Sequence, residues 1–211
     1  MAKDLAIILN NGGINSAVVT ALAAQKARPI LLHAEVAAPP SSRARAAYDQ
    51  QVAHFKPFRE HTISLMTAPP GAESMSHADP RVESNDHRML ELLPLIAVAA
   101  RYAVQYQASA IYLGLRIGPQ EEALARGTEY VQIWNEMVQN PCGQTELEIL
   151  APLLELEQWQ VVDVGFQAGV PFERTWSCQE EGSDPCWSCR GCQQREAAFQ
   201  QAGKVDPLRR R

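Results

Sequence analysis

The chain has 211 residues, is 46% apolar and carries a formal net charge of −5, which suits one α/β domain with a substantial core. The negative balance argues against non-specific binding to nucleic acid or to an anionic membrane. No apolar stretch approaches the length of a membrane span, and residues 1–20 lack the charged and apolar regions of a signal peptide, so a cytoplasmic protein with reduced thiols is expected.

Residues 5–9 are continuously apolar, as a strand covered on both faces would be. A glycine pair, Gly12-Gly13, follows at once, and residues 15–26 then read as a helix with Ile14, Val18 and Leu22 on one stripe. Residues 29–36 form the second predicted strand. A helix opened by Pro39-Pro40-Ser41-Ser42, with a serine as N-cap, runs to about Phe55. Residues 60–65 alternate, placing His61, Ile63 and Leu65 on the apolar side of a third strand.

Residues 66–87 break the pattern. They are rich in Pro, Gly, Ser and His and have no usable period, which predicts a functional flap or a long solvated loop. His77, Asp79, Asp86 and His87 fall here; a solvated loop is preferred over a metal or base cluster. A helix is predicted over 88–107, a buried strand over 110–115, a helix over 128–139, a strand over 146–150 and a helix over 155–168. Strand–helix alternation with short links predicts one doubly wound, mostly parallel sheet spanning 1–211, with no internal repeat. His33 and His61, within strands, are expected to be satisfied core histidines.

Four of the five cysteines fall within fifteen residues, as Cys178, Cys186, Cys189 and Cys192 in a CX7CX2CX2C pattern. Two-residue gaps let adjacent thiolates converge on one ion, and the loop through Gly182, Ser183, Asp184 and Pro185 brings in the fourth ligand. A closed thiolate set predicts a structural zinc site within a C-terminal segment, 175–199. An iron–sulfur cluster is the alternative, disfavoured by the tight spacing. Cys142 stands apart as a free thiol. Trp176 and Trp187 are expected to pack over the thiolates, and Arg209-Arg210-Arg211 reads as a frayed tail.

Together these features resemble the 7-cyano-7-deazaguanine synthase family of the adenine-nucleotide α-hydrolase-like (PP-loop) superfamily. The resemblance rests on Thr175-Trp176-Ser177-Cys178, the cysteine spacing, Arg195, Ala198-Phe199, Ala202-Gly203 and Asp206-Pro207. Ala151-Pro152-Leu153 and residues 92–115 extend it, and Asn11 to Ser16 sit where the family carries Ser-Gly-Gly-x-Asp-Ser. It implies a Rossmann-like fold, queuosine biosynthesis, and ATP- and Mg²⁺-dependent conversion of a deazapurine carboxylate to the nitrile with ammonia as nitrogen donor; a homodimer is left open. The implied cofactor-binding residues are Asn11, Gly12, Gly13, Asn15 and Ser16, with Ser16 and Arg88 as candidate catalytic residues.

The loop is degenerate against that pattern. Asn15 replaces the family's aspartate, losing a charged ligand for Mg²⁺. Asn11 replaces a serine, where its NH₂ is expected to donate. Gln158 stands at the expected lysine of the last helix, Glu35-Val36-Ala37-Ala38 replaces an Asp-Tyr-Gly-Gln segment, and residues 116–127 bear little likeness to the acidic substrate side. Three expectations follow: the family reaction, ATP-dependent activation of another carboxylate, or a non-catalytic module that binds a nucleotide, a deazapurine or a protein.

Overall fold

The computed structural model describes residues 4–35, 41–65, 85–142, 146–180 and 182–210. Five parallel strands, β1 (Leu5–Leu9), β2 (Arg28–Glu35), β3 (Arg59–Ser64), β4 (Ala110–Tyr112) and β5 (Glu148–Leu150), form a sheet of order β3-β2-β1-β4-β5. The order reverses between β1 and β4. Folds of this kind bind ligands at such a switch point, beyond the carboxyl ends of the strands.

Side-chain alternation along β1 feeds two cores. Ala6 and Ile8 meet Val18 and Val19 of α1 (Ile14–Lys26) and Val161 and Val162 of α5 (Gln158–Gln167), with Phe199 of α6 (Arg190–Gln201). Ile7 meets Ile96 of α3 (Asn85–Tyr106) and Trp134 of α4 (Glu121–Cys142) on the opposite face. Burial on both faces explains why this strand reads as an unbroken apolar run. α2 (Ser42–Phe55) is capped by Ser41, whose hydroxyl accepts from the Ala44 amide as expected.

Several element boundaries differ from the sequence expectation, and three of them border the switch point or the irregular segment. β4 ends at Tyr112 rather than at 115, because Gly114 lies against the α1 N-terminus. A β-carbon there would stand 3.1 Å from the Ser16 amide, tighter than ordinary packing allows. α4 begins at Glu121, seven residues early, with Glu121 and Glu122 in the first turn, where carboxylates favour the positive helix end. α3 begins at Asn85, so Asp86, His87 and Arg88 are helical in backbone; His77 and Asp79 lie outside the described residues.

The edge strand β5 is closed by α4. The Asn135 side chain accepts from the Ile149 amide at 2.7 Å and donates to the Ile149 carbonyl at 3.2 Å, imitating a neighbouring strand. Among the described residues, no helix is long and apolar enough to cross a membrane.

Candidate functional site

The β1–α1 junction is built on a buried amide. Asn10 is only 2% exposed, and its Oδ1 accepts from the Gly12 amide at 2.8 Å and lies 3.2 Å from the Ser16 hydroxyl oxygen. Its Nδ2 donates to Thr20 Oγ1 and to Gln51 Oε1, at 3.1 and 2.9 Å. Gln51 is fully buried and donates in turn to the carbonyls of Gly12 and Arg174, at 2.9 and 3.0 Å. The Asn10 carbonyl lies 2.9 Å from His33 Nδ1, which must carry the proton because a carbonyl can only accept. His33 also stacks on Tyr48 at 4.6 Å, so it is a satisfied core residue as expected.

Gly12 adopts φ of +81°, and a β-carbon there would approach the Ala44 carbonyl oxygen to 2.4 Å. Both the backbone angle and the space exclude a side chain. Its carbonyl accepts from the Trp176 amide at 3.0 Å as well as from Gln51, so the lead-in to the cysteine segment clamps the glycine loop from one side.

The loop is closed over itself. Asn11 Oδ1 accepts from the Gly13 amide at 3.0 Å and from the Ser16 hydroxyl at 2.9 Å. Two donors converging on one atom require an acceptor, so it is the carbonyl end of Asn11, not the NH₂ end, that faces the loop. Asn15 points the other way, toward β4: its Nδ2 donates to the Gly114 carbonyl at 3.3 Å, and its Oδ1 accepts from Gln158 Nε2 at 2.9 Å. Arg116 Nε donates to Gln158 Oε1 at 2.9 Å.

Asn11, Gly12, Gly13, Asn15 and Ser16 thus share one junction, with Gln158 joined to it. Arg88 lies in the first turn of α3, where only the backbone is described. Sequence reasoning passed over Asn10, Gln51 and Arg116. Gln51 left a trace: it shares the buried face of α2 with Ala47 and Tyr48, a polar residue where the stripe calls for an apolar one.

The four cysteines come together as the spacing predicts. Their sulfurs lie within 4.8 Å of one another, against about 3.8 Å for a tetrahedral zinc with ~2.3 Å bonds. Amide hydrogens already face sulfur: Cys186 N to Cys178 Sγ at 3.4 Å, Cys189 N to Cys186 Sγ at 3.3 Å and Gln179 N to Cys189 Sγ at 3.4 Å. Cys189 caps α6 and Cys192 occupies its first turn, where the helix dipole favours thiolate. Hydrogen bonds from the Ser188 hydroxyl, then from the Ser188 and Cys189 amides, lower the Cys186 thiol to about 6, while burial pushes Cys178 and Cys192 up.

Arg195 fastens this segment to the domain. It is buried, and donates to both Asp206 oxygens at 2.6 and 2.8 Å, to Thr175 Oγ1 at 2.8 Å and to the Phe172 carbonyl at 3.0 Å. The expected frayed tail is tied down as far as Arg209, and Arg211 lies outside the described residues. Residues Pro207–Arg210 form a 3-10 turn, and Arg209 pairs with Glu196 and lies 4.3 Å over the Trp187 ring. Trp176 Nε1 is buried with no hydrogen-bond partner among the described residues.

Comparison with known proteins places these features. Residues 5–203 match the family model described as "Queuosine biosynthesis protein QueC". A 7-cyano-7-deazaguanine synthase of Archaeoglobus fulgidus is 33% identical over 114 residues, 54% of this chain and 48% of that one. The matched stretch thus spans about half the length of that relative. The corresponding synthase of Chloroherpeton thalassium is 26% identical over 215 residues, covering 96% of this chain and 95% of the relative. Among solved structures, a 4-thiouridine synthetase–RNA complex with bound ATP superposes with a TM-score of 0.58 at 17% identity, over 98% of this chain and 52% of that one, a likeness of fold alone.

Proposed function

The chain belongs to the queuosine biosynthesis protein QueC family, and on that premise we propose that it binds ATP at the β1–α1 junction to activate a carboxylate for carbon–nitrogen bond formation. The proposed reaction is that of a 7-cyano-7-deazaguanine synthase, with 7-carboxy-7-deazaguanine as the acid and ammonia as the nitrogen donor. A carboxylate is a poor electrophile because its oxygen is a poor leaving group. Transfer of AMP from ATP to that oxygen, with pyrophosphate leaving, makes it one; ammonia then displaces AMP to give the amide, and a second ATP transfers AMP to the amide oxygen, which leaves as AMP as the nitrile forms.

The observation that carries this reading is the Gly12-Gly13 turn at the switch point, shaped by the positive φ of Gly12 and supported beneath by Asn10 and Gln51. Main-chain amides at the start of α1 suit an anion, with Ser16 contributing a hydroxyl. Arg88, at the start of α3, is proposed to serve the acid or the phosphates. Cys178, Cys186, Cys189 and Cys192 would hold one zinc ion, a donor set that suits it, and the ion would order the segment that clamps Gly12.

A second reading, a family member that binds nucleotide or deazapurine without turnover, is favoured by the neutral Asn15–Gln158 pair and by the capture of the Gly13 and Ser16 donors by Asn11. Incubation with ATP, ammonium and 7-carboxy-7-deazaguanine separates the two. AMP release with nitrile detected by mass spectrometry supports the enzyme. ATP binding by calorimetry without AMP release supports the module; absence of ATP binding overturns the enzyme, and absence of binding to both ATP and 7-carboxy-7-deazaguanine overturns the module.

A further inference from the structure

Two parts of the chain far apart in sequence meet at the Gly12 carbonyl. It accepts from the Trp176 amide at 3.0 Å and from Gln51 Nε2 at 2.9 Å, which fills both of its lone pairs. The second hydrogen of that NH₂ group goes to the Arg174 carbonyl at 3.0 Å, and Gln51 Oε1 accepts from Asn10 Nδ2 at 2.9 Å. Every polar atom of the buried Gln51 side chain is thus engaged. Its amide cannot turn over without setting NH₂ against NH₂ and oxygen against two carbonyl oxygens. The glycine loop and residues 174–176 are therefore held at one fixed spacing.

The same short segment leads straight into the thiolates. Gly191 lies in the first turn of α6, between Cys189 and Cys192, and a β-carbon on it would overlap the Ser177 carbonyl oxygen. The α6 backbone thus rests directly on Ser177, with no room for a side chain between them. Three consecutive residues carry the connection: Trp176 bonds the glycine loop, Ser177 touches α6, and Cys178 is the first thiolate. Arg195, in the turn after Cys192, fixes the near end through Thr175 Oγ1 and its carbonyl, at 2.8 and 3.2 Å. An ion that draws Cys178 to Cys189 and Cys192 must seat Ser177 on Gly191, and so sets where the Trp176 amide meets Gly12. We infer that the thiolate site and the glycine loop bind their ligands cooperatively, metal and nucleotide each favouring the other, with Gln51 as the positioning residue that joins them. This inference rests on the β1–α1 junction being a nucleotide site. Both ligands select one arrangement of residues 174–178, so whichever binds first orders it for the other.

The test follows zinc leaving the zinc-loaded protein into an excess of a chromophoric chelator, with and without ATP at a concentration that calorimetry shows to saturate. Free ATP ligates divalent metal through its phosphates, so unbound nucleotide can only hasten the loss. Bound ATP should slow it by about fivefold or more in the wild type. Gln51→Met keeps the side-chain length and removes its hydrogen bonds; there the slowing should fall below about twofold at saturating ATP. Asn135→Ala, which breaks hydrogen bonds to β5 away from this route, should retain the wild-type slowing and so separates lost coupling from lost stability. The wild-type comparison needs no variant and decides the coupling by itself if Gln51→Met does not fold. Zinc release that ATP leaves unchanged or hastens, in wild type that binds ATP, would overturn the inference and leave the nucleotide site standing, as would a thiolate set that takes up no zinc. Full slowing in Gln51→Met would overturn the part given to Gln51. No ATP binding by the zinc-loaded wild type would remove the site and the inference together.

Discussion

Gln158 Nε2 donates to Asn15 Oδ1 at 2.9 Å across 143 positions of sequence. Each is an amide at a position where the resembling family pattern places a charge, aspartate at one and lysine at the other. The two replacements meet, so the net charge of the pair is the same in both arrangements. Asn15→Asp alone should therefore not restore a working metal ligand. It would set a carboxylate oxygen against the Gly114 carbonyl, now 3.3 Å from Asn15 Nδ2, and should destabilise the fold by about 1–3 kcal/mol. Adding Gln158→Lys should recover part of that loss. A double-mutant cycle by urea unfolding checks this, with an expected coupling of about 0.5–3 kcal/mol; additive effects would show that the two side chains do not act as a pair.

Asn11 Oδ1 occupies the donors that an anion would use. Asn11→Ala should release the Gly13 amide and the Ser16 hydroxyl and raise the affinity for ATP by roughly threefold to tenfold. Calorimetry on the variant measures it, and a weaker affinity would mean that Asn11 itself contacts the ligand.

The Arg195–Asp206 pair is buried on both sides, with side chains 1% and 4% exposed. Asp206→Ala would strand a guanidinium beside the Phe172 and Thr175 carbonyls and should cost about 3–5 kcal/mol, read as a lower denaturation midpoint. Arg209→Ala, which removes a half-exposed pair and a ring contact, should cost about 1 kcal/mol or less.

Metal loading should depend steeply on pH. Burial holds the Cys178 and Cys192 protons above the ordinary thiol range, while Cys186 loses its proton near 6. Protons compete with the ion for sulfur, so binding must displace those of the two buried thiols, and affinity rises with pH. As pH falls through about 6, Cys186 gains a proton too and affinity drops further. Competition with a chromophoric chelator across this range gives the slope. Elemental analysis should find one zinc per chain, and Cys189→Ser should lower both metal content and thermal stability.

Much of the fold was legible because local rules govern it. The apolar run of β1, the serine cap of α2 and the two-residue cysteine gaps each report a constraint that acts over a few residues. The start of α4 was missed: Glu121 and Glu122 suit a first turn, but the stretch offers no apolar period until Tyr130 and Trp134 supply one. Gln51 and Arg116 were not legible as parts of the site, since nothing near them in sequence says what they face.

What the sequence alone determined is the parts: an alternating α/β chain, a glycine turn after the first strand and a thiolate quartet at the end. Each follows from periodicity, backbone freedom or ligand spacing, which neighbours along the chain enforce. Only the tertiary structure decided which polar groups satisfy one another. Asn11 closes the loop, Gln158 meets Asn15, and Gln51 supports Gly12, because a polar side chain that leaves water takes its partner from whatever the packing brings within about 3 Å.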